Sequence, residues 1–243
     1  MVVWSLTSFK SISETHRIDA DHYRPEYQDL VHSLSWAKPL SYYTSQIIHP
    51  AEFIRAYSSV GWRIIRAQNV RPLQMAFDSN VVRLSENQAL LYKQNHLTNG
   101  DVLITRTGAN FGQCSLYYGE EEPSLATSHT LILRTNINID PAYVALFLNT
   151  RQGRMLLDRG MYGSSQPEIA PHYLLKIPIP KFSEGEEKSL AEAVYKAYNL
   201  KRLSSQRYEY AQQLLETELG LDRLNLQKPA GYKARFSTVD LSQ

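Results

Sequence analysis

Apolar and polar positions recur with different periods along this chain. From residue 11 to residue 34 they follow helical spacing. Pro25 with Glu26 behind it predicts a helix over 25–36, because proline's fixed φ suits the first helical position and an acid suits the first turn. From 41 to 139 the period shortens. Ile47 with Ile48, then 62–65, 81–84, 102–104, 114–118 and 130–133, are short β-rich runs bounded by Gly, Pro, Asn or Asp, the mark of strands. Asp140 and Pro141 then read as N-cap and first residue of a helix over 142–157, with Tyr143, Leu146, Phe147 and Leu156 at helical steps. In Ile177-Pro178-Ile179-Pro180 each proline disfavours helix in the residue before it, so this segment is extended.

Ser183 with Glu186 three residues later forms a capping box, and the pattern behind it predicts one long helix from 183 to roughly 224, about 60 Å at 1.5 Å per residue. Leu190, Ala193, Val194, Ala197, Leu200, Ser204, Tyr208, Ala211, Leu215 and Leu219 recur at steps of three and four. They lay a narrow apolar seam along a charged surface, which calls for a partner helix; the competing reading packs the seam on the chain's own sheet domain, which so long a helix would overrun. The expected division is a sheet-rich domain over 1–182, a spacer and dimerisation helix over 183–226, and a tail over 227–243.

At 243 residues with 43% hydrophobic content the chain can bury a real core, which excludes a disordered protein. Its net charge of +2 leaves the partner open. The single cysteine, Cys114, excludes an internal disulfide and a cysteine-rich metal site and suits a reducing cytoplasm. No secretory pattern opens the sequence and no run of eighteen apolar residues interrupts it, so neither secretion nor a membrane is expected. Phosphate-loop, H-E-x-x-H, G-x-S-x-G and N-P-P-Y signatures are absent. A nuclease-like set could be drawn from Glu168, Glu186 and Lys188, but the latter two fall in the first turn of a helix rather than on a core strand. Seven scattered histidines give no ligand spacing, and Ser128 and His129, as strand neighbours, would point to opposite faces.

Residues 17–27 (RIDADHYRPEY), 100–113 (GDVLITRTGANFGQ) and 164–180 (SSQPEIAPHYLLKIPIP), with the long helix after them, resemble in order and spacing the target recognition domain and spacer helix of type I restriction-modification specificity subunits. The resemblance covers nearly the whole chain. It implies an α/β (α+β) fold, a sheet-rich target recognition domain followed by a spacer helix. The function it implies is a DNA-reading subunit with no catalysis and no cofactor, whose partners are double-stranded DNA, methyltransferase (M) subunits and a restriction (R) subunit. Members of that family usually carry two recognition domains and two spacer helices, whereas this chain carries one of each and so resembles a half subunit. It is expected to pair with itself through an antiparallel coiled coil and to read a bipartite, inverted target. The segment 235–239 loosely echoes 7–12, as if a second copy were beginning.

DNA sequence is read by side chains that make two hydrogen bonds at a base edge, Arg to guanine and Asn or Gln to adenine, while hydroxyls, amides and further cations hold phosphates. Three groups fit. Arg66, Gln68, Asn69 and Arg71 follow the strand at 62–65; Thr105, Arg106, Thr107 and Asn110 surround Gly108 between two strands; Ser164, Ser165 and Gln166 form the third. Arg106 is expected to contact a base and Arg154 a phosphate, with Lys93, Arg134, Arg151 and Arg159 on the flanks. The competing readings are a solvated strand end, a tight turn and a helix junction, respectively. Asp19, Tyr23 and Tyr27 read as structural. A pure assembly module remains as the other class, and the two separate on one criterion. A DNA reader gathers Arg66, Arg71, Arg106 and the arginines of 151–159 on one concave face; an assembly module scatters them.

Overall fold

A computed structural model describes residues 5–54, 56–77, 81–119, 121–163 and 166–221, so Ser164, Ser165, the tail over 227–243 and its echo at 235–239 lie outside the described residues. Two four-stranded sheets form the body. In the first, β1 (Thr44–Ile48), β8 (Thr130–Thr135), β5 (Val102–Thr105) and β6 (Cys114–Leu116) lie in that order, all antiparallel. In the second, β7 (Ser124–Ala126) pairs parallel with β3 (Trp62–Ile65), and β4 (Arg83–Leu84) joins β3 to β2 (Tyr57–Ser58).

Register explains the unbroken apolar runs. β8 pairs with β5 so that Leu131 meets Ile104, Ile132 meets Leu103 and Leu133 meets Val102. Alternate residues face opposite sides of a sheet. Val102, Ile104, Leu131 and Leu133 accordingly pack in one core with helices α3 (Pro141–Asn149) and α4 (Arg151–Arg159), while Leu103 and Ile132 pack in a second with Ile48, Ile65, Val70 and Ala126. Both faces are covered, so both sets are apolar.

Several boundaries differ from those the sequence predicts. The helix expected over 25–36 is α2 (Pro25–Ser33), ending where Leu34 leaves helical geometry. The run at 81–84 contributes only β4, and that at 114–118 stops at Leu116. The helix expected over 142–157 is two helices. Thr150 is extended (φ −67°, ψ 164°) and N-caps α4, its hydroxyl accepting the Gly153 amide at 3.1 Å. A Cβ on Gly153 would lie 2.1 Å from the Phe147 carbonyl oxygen, so the tight corner depends on glycine there.

The 17–27 segment is held by its own polar groups, as the sequence reading expects for Asp19 and Tyr23. Arg17 pairs with Asp19, Tyr23 donates to the Arg17 carbonyl at 2.9 Å, and Arg17 donates to the Met161 carbonyl at 2.7 Å. His22, 1% exposed, meets the Arg159 carbonyl through Nδ1 at 2.8 Å.

The long helix is α5 (Glu184–Glu218), 35 residues opened by the expected capping box, Ser183 N donating to Glu186 Oε2 at 3.1 Å and Glu186 N to Ser183 Oγ at 3.4 Å. It stops short of 224 because Gly220 adopts φ +66°, the left-handed conformation that ends helices. The chain divides into two units at Asn199 and Leu200, within α5. In the first unit, Glu187, Ala191 and Val194 are buried, so Val194 serves the domain core rather than the expected seam. Glu187 Oε1 accepts the Asp140 amide at 2.9 Å, and Tyr195 donates to Asp140 Oδ1 at 2.9 Å. The Tyr198 hydroxyl accepts the Leu116 amide at 3.0 Å, satisfying a donor of strand β6. In the second unit every residue from Leu200 to Leu219 is exposed.

Glu187→Ala removes the acceptor of the Asp140 amide and is expected to lower unfolding free energy by about 1–3 kcal/mol in denaturant titration. An unchanged midpoint and slope would show that the contact contributes nothing. Burial pushes the His22 imidazole below its ordinary range, with the Arg159 charge acting in the same direction. The folded protein therefore binds fewer protons at His22 than the unfolded chain does. That stability is complete above about pH 6.5 and is lost as pH falls from there toward the depressed folded value. Thermal melts from pH 7 to 5 are expected to fall less steeply for His22→Gln than for the wild type; parallel slopes would contradict this.

Candidate nucleic-acid interface

The loop between β5 and β6 turns twice through left-handed glycines, Gly108 (φ +91°) and Gly112 (φ +66°). Its backbone is tied to two distant segments. Arg106 N donates to the His129 carbonyl at 2.9 Å, Gly108 N to the Pro167 carbonyl at 3.2 Å, and Ile169 N to the Arg106 carbonyl at 3.1 Å. These bonds join the 106–113 loop, the turn between β7 and β8, and the segment 166–169 around a cavity of about 270 Å3. Arg66, Ala67 and Gln68 line it from the end of β3, Thr107 to Asn110 from the loop, Thr127 and His129 from the turn, and Gln166 from the last segment.

Five residues singled out in the sequence thus meet at one cavity: Arg66, Gln68, Thr107, Asn110 and Gln166. Others stand behind it. Arg71 donates to Asn110 Oδ1 at 2.8 Å, leaving the Asn110 amide nitrogen to donate elsewhere. Arg106 pairs with Glu168 and donates to His49 Nε2 at 3.0 Å, so its guanidinium locks the loop to the 166–169 segment. Arg154 donates to the Phe111 carbonyl at 3.2 Å, filling the space beside Gly112 where a Cβ would meet Arg154 Nη1 at 2.7 Å. Arg71, Arg106 and Arg154 therefore converge on a single loop, and Arg66 lines the cavity that it bounds.

Two sequence candidates are interior. Thr105 is wholly buried; Asn69 is 6% exposed, its Oδ1 accepting the Arg66 amide at 2.9 Å and its Nδ2 donating to the Ala76 carbonyl at 2.8 Å. Arg134 is committed to Asp101 at 2.8 Å, and Arg159 lines a separate cavity of about 470 Å3 near Arg17 and His22. Both carboxylates of the nuclease-like set have other partners, Glu168 in Arg106 and Glu186 in Ser183. Burial pushes the Cys114 thiol up, far from a reactive thiolate. Among the described residues no three His, Cys, Asp or Glu side chains gather as a metal set, and no helix is long and apolar enough to cross a membrane.

His129 and Thr127 escape the sequence reading, which weighs Ser128 and His129 only as a catalytic pair on a strand. They occupy the turn between β7 and β8 instead, and the His129 partner, Thr107 Oγ1 at 2.8 Å from Nδ1, is far away in sequence. The usable signal was a polar S-H-T between two apolar strands.

No protein-family model matches the chain, and no curated protein matches it in sequence. Among solved structures it is similar to part of the type IIG restriction endonuclease BpuSI, with 9% identity and a TM-score of 0.52 over 78% of this chain and 30% of that one. That likeness is one of fold. It is also similar, at 13% identity in each case, to the type I restriction-modification system S subunit from M. genitalium and to the HsdS subunit from Thermoanaerobacter tengcongensis. The first has a TM-score of 0.47, covering 76% of this chain and 42% of that one; the second has 0.45, covering 85% and 51%. The chain spans about half or less of each of these structures.

Arg106→Ala leaves the half-buried Glu168 without its partner and is expected to loosen the lock by about 1–2 kcal/mol. Native-state hydrogen exchange at the Gly108 and Ile169 amides would then quicken roughly five- to thirtyfold. Unchanged exchange there would show that the backbone bonds hold the loop unaided.

Proposed function

We propose that this chain is a sequence-specific DNA-binding subunit of a type I restriction-modification complex, a non-catalytic part that directs methyltransferase and restriction subunits to their target. The observation that carries this reading is the convergence of Arg66, Arg71, Arg106 and Arg154 around one loop and one polar cavity. A positive field focused on a concave surface suits a phosphate backbone, and amide side chains at its rim suit base edges. Further support comes from the order of the four motifs and from the fold shared with part of a restriction endonuclease. In this reading Gln68 and Gln166, both exposed at the cavity rim, contact bases together with the Asn110 amide nitrogen. Arg66 meets phosphate or guanine, while Arg71, Arg106 and Arg154 position the loop, the charges of Arg106 and Arg154 being paired with Glu168 and Asp158.

The bipartite target follows from self-pairing. Leu190, Ala193, Ala197, Leu200, Tyr208, Ala211, Leu215 and Leu219 are all exposed on α5, Leu200 and Leu215 by 56% and 59%. Successive helix residues turn by about 100°, which sets Ala193 and Ala197 to one side of the face that Glu187, Ala191 and Val194 bury. Antiparallel pairing of two copies covers the stripe and sets two recognition domains at opposite ends, matching an inverted repeat.

Co-expression of the full chain with its methyltransferase, followed by genome-wide mapping of methylated sites, tests the function. The expected result is a bipartite motif with inverted symmetry, and Gln68→Ala or Gln166→Ala is expected to relax one base of each half. Light scattering is expected to give a dimer for the wild type and a monomer for the Leu200→Lys, Leu215→Lys double variant. Absence of any motif would refute DNA reading; an asymmetric motif with a monomeric chain would refute self-pairing alone.

A further inference from the structure

The polar group at the cavity rim that no sequence motif accounts for is His129, and we propose that it is a base-reading residue that donates a hydrogen bond from Nε2 to an acceptor on a base edge. The inference rests on the DNA-reading function. His129 is exposed and lines the cavity together with Gln68 and Gln166, which arrive from two other segments. Its ring is anchored at one end only, Nδ1 lying 2.8 Å from Thr107 Oγ1. Its backbone is anchored as well, the His129 carbonyl accepting the Arg106 amide at 2.9 Å. The ring is thus aimed rather than free to sweep through solvent, which limits the entropy lost on contact.

The direction of the Thr107 hydrogen bond sets the tautomer. Thr107 is 8% exposed, and among the described residues the imidazole is the sole hydrogen-bond partner of its hydroxyl. If Nδ1 carried the proton, the ring would donate to Oγ1 and the hydroxyl hydrogen would have no protein acceptor among the described residues. If the hydroxyl donates to Nδ1, every group in the pair is satisfied. The second arrangement places the ring proton on Nε2, at the solvent end. An Nε2–H donor matches acceptors, which in the major groove are guanine O6 and N7, adenine N7 and thymine O4, and it is repelled by the amino group of cytosine. Thr107 is then a positioning residue that acts through His129. Thr127 lies beneath, 3% exposed, with no hydrogen bond to its hydroxyl oxygen among the described residues, so the cavity floor is polar as well.

The test is residue-specific methylation mapping with the full chain and its methyltransferase. His129→Ala is expected to turn one guanine, adenine or thymine of each half-site degenerate, with discrimination there falling about five- to tenfold, while the positions relaxed by Gln68→Ala stay specific. Thr107→Val is expected to relax the same position and Thr107→Ser to restore it, a pattern that mere loss of folding does not produce. Binding to the wild-type motif with 7-deazaguanine or 4-thiothymine at that position should weaken for the wild type and be unaffected for His129→Ala. A wild-type motif retained unchanged in His129→Ala overturns the assignment and leaves DNA reading intact. A wild-type chain that yields no motif overturns both.

Discussion

Backbone amides and carbonyls must be hydrogen-bonded when buried, and the loop from Thr105 to Gln113 is where that requirement organises the domain. The loop closes on itself through Thr105 N to the Gln113 carbonyl at 2.8 Å and Gly112 N to the Thr105 carbonyl at 2.8 Å. What it cannot satisfy internally it exports, to His129 on one side and to Pro167 and Ile169 on the other. Three segments far apart in sequence are thereby held within one cavity wall. Arg71, Arg106 and Arg154 reinforce the same loop with charge-assisted bonds. Arg71, Arg106 and Arg154 are spent on holding the loop, while Gln68, Gln166 and His129 are exposed at the cavity.

A second polar cluster fixes the start of α5. Asp140 caps α3 through the Ala142 amide at 2.8 Å, accepts Tyr195 at 2.9 Å, and gives its own amide to Glu187. Lys181 lies 2.9 Å from the second Glu187 oxygen, so the buried carboxylate is paired rather than isolated. The Tyr118 ring meets Tyr195 at a tilt and Tyr198 edge-on, with centroids 4.7 Å and 6.3 Å away. One face of the helix is used here. From Leu200 to Leu219 the residues of the helix are exposed.

Period and cap chemistry were legible in the sequence. The Ser183 and Glu186 box, Pro25 and Pro141 at helix starts, and the apolar runs of β3, β5 and β8 all follow from local residue types, because caps, turns and strand periods are local interactions. Boundaries were less legible. Thr150 and Gly153 break a helix that apolar spacing alone runs together, and Gly220 ends one sooner than its seam suggests.

Tertiary structure alone decided which polar residues are available. Asn69 and Arg66 stand three positions apart in one segment, yet the Asn69 amide is consumed by backbone groups while Arg66 lines the cavity. Val194 fits the seam by spacing, but faces the core because α5 docks on that side. Arg106 reads as a base contact until Glu168, over sixty residues away, is found beside it, and His129 reads as idle until Thr107 is found at its Nδ1. Composition and period determined what kind of surface this chain builds. Which side chains reach it was set by long-range pairing, since a hydrogen bond between distant residues leaves no trace in the spacing of either.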